Sequence, residues 1–126
     1  MAFEEGHLTG VVALCRAEGW PSFGDDPALA LRALTAPGVA AVVAVAGREV
    51  VGFAEGQGDG VLQGHLSLIA VRADQRRKGI ARALIAALFE RMGVQRMDLI
   101  TDSDDAAFYA ALPHRAMRGF RIYPEG

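Results

Sequence analysis

The sequence predicts an α/β (α+β) fold: a mixed sheet with helices on both faces, built as one domain over residues 1–126. Three observations carry this. The middle of the chain, from Val39 to Val71, is rich in β-branched residues and broken by tight glycine turns. Two amphipathic helical segments precede it. After it comes a long apolar helical run and then the short strand-like stretch "RMDLIT", which together make a crossover unit expected to be right-handed.

Taken in order, Leu8 to Glu18 sets Leu8, Val11, Val12 and Cys15 on one stripe, as a helix stopping before Gly19 would. "GWPSFGDDP" reads as a loop. Asp26 can cap a second helix that has Pro27 in its first turn, carries Leu29, Leu31 and Leu34, and stops at "APG". Val39 to Gly47 and Arg48 to Gln57 form an antiparallel hairpin about Gly47-Arg48. "GDG" turns the chain into a third strand, "VLQGHLSLIAV". Ile80, Leu84, Ile85, Leu88 and Met92 then share one face of a helix from Gly79 to Met92, stopped by Gly93. "DSDDAAFYAAL" follows the next strand as a short acidic-capped helix, and a final strand pair is expected around Arg118-Gly119.

With 126 residues and 13.3 kDa the chain can bury a real core, and its mean hydropathy of +0.21 is that of a globular protein. No apolar run reaches membrane-spanning length, and "MAFEEGHLTG" lacks the basic and apolar segments of a secretory leader, so a cytoplasmic protein with no membrane partner is expected. The lone Cys15 sits in an apolar run and reads as a buried thiol; no His or Cys spacing suggests a metal site, and none is expected. Net charge is −2, which argues against a nucleic-acid partner.

Charge is nevertheless uneven. Arg72, Arg76, Arg77, Lys78 and Arg82 face a single acidic residue, Asp74, in eleven residues. "QRRKGIAR" lies between a strand and a helix, where unpaired N–H groups and the positive helix end favour phosphate. Gly79 removes a side chain where backbone must approach a ligand, and Ala81 keeps the first turn small. Neither a G-x-x-x-x-G-K-[ST] loop nor a dinucleotide fingerprint is present, since Gly56, Gly58 and Gly60 lie between strands.

The stretch "LSLIAVRADQRRKGIARALIAALFE" resembles the acyl-CoA-binding motif of the GNAT superfamily of N-acetyltransferases. Its core [QR]-x-x-G-x-[GA] is met by Arg76, Gly79 and Ala81, and "FYAAL" stands where that family carries an aromatic-Tyr pair. The resemblance runs from about Leu8 to Pro124. It implies a mostly antiparallel sheet with a V-shaped splay between the fourth and fifth strands, and acetyl-CoA as co-substrate. Arg76, Arg77, Lys78, Gly79, Ile80, Ala81 and Arg82 would take the pyrophosphate largely through backbone N–H groups. Ile69, Ala70 and Val71 would run beside the pantetheine. Where many members have an asparagine this chain has "TDSDDAA", so Asp102 or Ser103 would make that contact. Pro113-His114 replaces the usual Gly-Phe, and with little chain before Leu8 the usual first strand is either "MAFEE", missing, or replaced by a partner chain.

The reaction so implied is direct transfer of an acetyl group to a primary amine of a small molecule or protein. An amine of pKa ~10 must lose a proton and the departing thiolate, ~8.5 for a model thiol, gains from receiving one. Tyr109 stands where the family often keeps its general acid. For the base, Glu55 at the end of the second strand, Asp59 in the turn and His65 on the third strand are the candidates that could border the acceptor side, directly or through water. Trp20 and Phe23, in the loop that overhangs the acceptor pocket in this family, are the candidate substrate-binding residues. A noncatalytic acyl-CoA sensor or interaction module is the competing function, and an open final hairpin leaves an edge that a homodimer could cover.

Overall fold

The structure, a computed structural model, describes residues 1–102 and 105–125. Its helices are α1 (Leu8–Glu18), α2 (Pro21–Gly24), α3 (Pro27–Leu34), α4 (Ile80–Met92) and α5 (Ala106–Ala110). The strands β1 (Val39–Ala46), β2 (Glu49–Gly58), β3 (Gln63–Val71) and β4 (Arg96–Asp98) form one sheet in the order β1-β2-β3-β4. The β1–β2 and β2–β3 pairs are antiparallel and β3–β4 is parallel, which makes the sheet mixed and mostly antiparallel, as expected.

The two sheet faces carry different helices because side chains alternate along each strand. Val43 and Phe53 pack with Val11, Val12, Cys15, Ala30 and Leu34 of α1 and α3. Val42, Ala54 and Leu66 pack with Leu84, Leu88 and Met92 of α4. Asp26 caps α3 as its sequence implies: its Oδ1 accepts from the Leu29 N–H at 3.1 Å, with Pro27 at the first helical position. Gly64 lets α4 come close to the sheet, since a Cβ there would lie 2.6 Å from the Met92 methyl.

Four local expectations are revised. "GWPSFGDDP" is not all loop: Pro21–Gly24 makes one helical turn, with Pro21 at its start and Phe23 driven into the core. The third strand begins at Gln63, because Asp59 caps the preceding turn through the N–H groups of Val61 and Leu62, both at 2.7 Å. β4 ends at Asp98 rather than Thr101. The final strand pair is absent: among the described residues beyond α5 no strand forms, and Phe120, Ile122 and Tyr123 are exposed. The alternating pattern there has no neighbouring strand to bond, and a strand pattern without a partner does not make a ladder.

The "MAFEE" segment does take up a place at the sheet edge. Ala2 bridges Val42 antiparallel, the Phe3 N–H donates to the Ala41 carbonyl at 2.9 Å, and the Val43 N–H to the Met1 carbonyl at 2.8 Å. Counted with this segment, β3 and β4 are the fourth and fifth strands. Their parallel ladder covers only Gln63–His65 against Arg96–Asp98, and beyond it the strands part, giving the splay that the family resemblance implied.

Phe53 is 1% exposed at the centre of the α1 face. Phe53→Ala should cost about 3–5 kcal/mol in urea unfolding, the range for deleting a buried aromatic ring. A loss below about 1 kcal/mol, the level of a surface change, would contradict this packing.

Candidate active site

Where β3 and β4 part, a cleft of about 1610 Å³ opens. One wall is β3 from Leu66 to Val71, and the other is Leu99 to Asp102 with Phe108 and Tyr109 of α5. The loop before α4 closes one end, and Trp20, Pro21 and Phe23 overhang it from the α1 side.

The loop is tightly curled. Arg77 has φ 64° and Gly79, the N-cap of α4, has φ 81°, so two residues in the left-handed region stand within three positions. Around a Cβ built on Gly79 no heavy atom lies within 4 Å, so the space above it is open to a ligand, and the first-turn N–H groups of α4 have no intrahelical partner. The local positive field is smaller than the residue count suggests. Arg72 is bound to Glu49 at 2.8 Å and Asp74 at 2.7 Å, and Arg76 to Glu18 at 2.9 Å. Among the described residues, Arg77, Lys78 and Arg82 have no carboxylate partner.

The cleft wall on β3 contains a bulge. Glu55 opposes Leu68 but Gly56 opposes Leu66, so Ser67 is the extra residue. Leu66 packs toward α4 and Leu68 toward α1, while the Ser67 hydroxyl accepts a 2.8 Å bond from the Gln57 side-chain amide. Ser67 lines the cleft, a position the sequence reading missed because nothing in "HLSLIA" marks a bulge. Ile69, Ala70 and Val71 continue this wall and present its last carbonyls beside the loop.

Glu55 is the one buried charged residue among the described residues, 5% exposed. Strand alternation puts it on the face of Phe53, toward α1, and burial pushes its carboxyl up to about 7. Cys15 of α1 lines the cleft floor; burial, then the charges of Glu55 and Glu18, push its thiol up to about 11, so it is not a thiolate at neutral pH. Tyr109 is pushed up to about 12, mainly by burial and then by the Asp105 carboxylate, and stays protonated. Its ring meets Phe108 edge-on at 5.1 Å.

Tyr109, Trp20, Phe23, Ile69, Ala70, Val71, Arg76, Arg77, Gly79, Ile80, Ala81 and Arg82 are therefore brought around one cleft. Lys78 is in the same loop, its ammonium on the Gln75 side-chain oxygen at 3.2 Å. Glu55 is not among the residues that line the cleft, although its cross-strand partner Leu68 is. Of the other base candidates, Asp59 is engaged in its turn, whose N–H bonds hold its carboxyl below the usual range, and His65 is exposed opposite Gln57. Asp102 lines the cleft, whereas Ser103 lies outside the described residues. Among the described residues no group of three His, Cys, Asp or Glu side chains could hold a metal, and no helix is long and apolar enough to cross a membrane.

The family described as "Acetyltransferase (GNAT) domain" matches residues 37–112, more than half the chain, and the chain belongs to that family. An aminoglycoside N-acetyltransferase, AAC(6')-Iy, solved with CoA superposes with a TM-score of 0.76 and 25% identity, covering 98% of this chain and 91% of that one. The same enzyme with a bisubstrate analogue gives 0.77 at 25%, covering 100% and 96%. A ribosomal-protein-alanine N-acetyltransferase from Brucella melitensis biovar Abortus 2308 gives 0.77 at 20%, covering 99% and 96%, a likeness of fold. No curated protein sequence matches.

The raised Glu55 carboxyl has a sign that can be tested. An acid whose folded pKa, about 7, exceeds its unfolded value, 4.5, binds its proton more tightly in the native state. That contribution is fully present below pH 4.5 and lost as pH rises through 7. The difference in unfolding midpoint, wild type minus Glu55→Gln, should therefore fall between pH 5 and pH 8. A difference independent of pH would sink the assignment.

Proposed function

We propose that the protein is an acetyl-CoA-dependent N-acetyltransferase that passes the acetyl group directly to a primary amine of a small molecule or protein. The observation that carries this is the cleft itself. It runs from the curled loop at the start of α4, past the open strand edge of β3, to a protonated Tyr109 on one wall, and a buried carboxylate sits on β2, the strand paired with the other. Membership of the acetyltransferase family and the CoA-bound neighbours support the same reading.

In this reading the Arg76–Arg82 loop receives the CoA pyrophosphate, its backbone N–H groups donating and Arg77, Lys78 and Arg82 supplying field. Ile69–Val71 hydrogen-bond the pantetheine as an added strand, and a backbone N–H of this wall polarises the thioester carbonyl as negative charge develops on its oxygen. The amine enters under Trp20 and Phe23. Glu55, titrating near 7, accepts its proton through water, since it does not itself line the cleft. The free amine attacks the carbonyl carbon, the C–S bond breaks, and the Tyr109 hydroxyl donates to the departing sulfur. Cys15 takes no part: a thiol titrating near 11 is a poor nucleophile, which favours direct transfer over an acyl-enzyme. The named activities of the neighbours, on an aminoglycoside and on a ribosomal-protein alanine, keep both small amines and protein termini as acceptors. A cytoplasmic site of action fits this co-substrate.

Acetyl-CoA should raise the thermal midpoint in a saturable titration, and Gly79→Val should remove that shift, because a β-branched residue cannot hold φ 81° and its side chain would enter the open space. No shift at saturating acetyl-CoA would sink the proposal.

Release of free thiol should follow on mixing acetyl-CoA with a panel containing sisomicin, lysine, spermidine and an alanine-terminated peptide. Tyr109→Phe should lower that turnover roughly 10²-fold with CoA affinity retained. Undiminished turnover removes the tyrosine as acid, while CoA binding without turnover on any amine would favour the sensor reading.

A further inference from the structure

Arg76 opens the R-x-x-G-x-A core, yet its guanidinium is taken up by partners within the protein. Its Nε donates to the Val71 carbonyl at 3.0 Å, and its Nη2 donates to Glu18 Oε1 at 2.9 Å, 58 residues away in sequence. Little else holds this part of the loop. The Gln75 N–H donates to the Arg72 carbonyl and the Ala83 N–H to that of Gly79, but among the described residues no backbone–backbone bond is made by residues 76–78. Arg77 at φ 64° needs support from outside its own backbone, and the neighbouring Arg76 fork supplies it.

We infer that Glu18 is a positioning residue for the cofactor loop, acting through Arg76. The inference rests on the proposed use of that loop to bind CoA. Glu18 fixes one prong of a planar fork whose other prong caps the end of β3, so the loop is set against both the strand edge and α1. Because Glu18 ends α1 two residues before Trp20, the N-cap of α2, the same contact joins the acceptor wall to the cofactor loop. The Arg76 charge is thereby committed to a carboxylate, and the pyrophosphate is left to the backbone amides, Arg77, Lys78 and Arg82.

The test reads CoA affinity by calorimetry in wild type, Glu18→Gln and Arg76→Lys. Each variant should bind CoA about three- to fivefold more weakly, the scale of a partly exposed ion pair, and the double variant no more weakly than the worse single one. The wild-type advantage should shrink at high salt. If Glu18 merely withdraws Arg76 from the pyrophosphate, Glu18→Gln frees the arginine and CoA binds as well or more tightly, which overturns the inference. So does an Arg76→Lys variant with wild-type affinity, or a drop of several degrees in the ligand-free unfolding midpoint that accounts for the weakening. Wild-type protein that does not bind CoA overturns the functional reading itself.

Discussion

The parting of β3 from β4 is the constraint on which the rest of the molecule depends. A parallel pair is held only by slanted hydrogen bonds, and here only three residue pairs make them. Where they stop, the N–H and C=O groups of β3 from Leu66 onward lose a partner on that side. Such groups cannot stay buried unpaired without cost, so they line a cleft open to water and to a ligand with its own amides. The bulge at Ser67 falls just beyond the last ladder pair, where added twist would drive the two strands further apart. α4 packs on one face of the sheet, its apolar stripe on Val42, Ala54 and Leu66 of β1, β2 and β3, so this side stays covered while the β3 edge stands open.

Much of this was legible because periodicity and turn chemistry agree with the tertiary packing. α1 occupies Leu8–Glu18, the span its apolar stripe marks, with Gly19 at φ 77° closing it. α4 and the Asp26 cap are likewise local signals that the fold leaves intact. The failures have separate causes. "FRIYP" has a strand composition, but a strand also needs a neighbour, and none is supplied by the described chain. α2 was hidden because four residues with proline at one end and glycine at the other read as loop punctuation.

The site was legible in a similar measure. Position within "QRRKGIAR" pointed to Gly79 and the family pattern to Tyr109, and both line the cleft. The pairing of Arg76 with Glu18 depends on two segments far apart in sequence, and charge counting gave Arg72 and Arg76 to an anion when each already has a carboxylate. Ser67 was invisible because a bulge is a property of register between two strands, not of either sequence alone.

The buried carboxylate ties stability to chemistry. Glu55 occupies a place in the β2 row where Val51 and Phe53 supply apolar packing, and an apolar residue there would spare the fold the desolvation of an ionised group. With the carboxyl titrating near 7, that penalty is small while it is protonated and grows as it ionises. The same burial makes the carboxylate more basic than an ordinary glutamate's, which is the property the proposed proton acceptor needs. Tyr109 is moved in the opposite functional sense by the same cause, since burial keeps its proton on the oxygen. Burial is the first cause of both displacements, joined at Tyr109 by the charge of the Asp105 carboxylate.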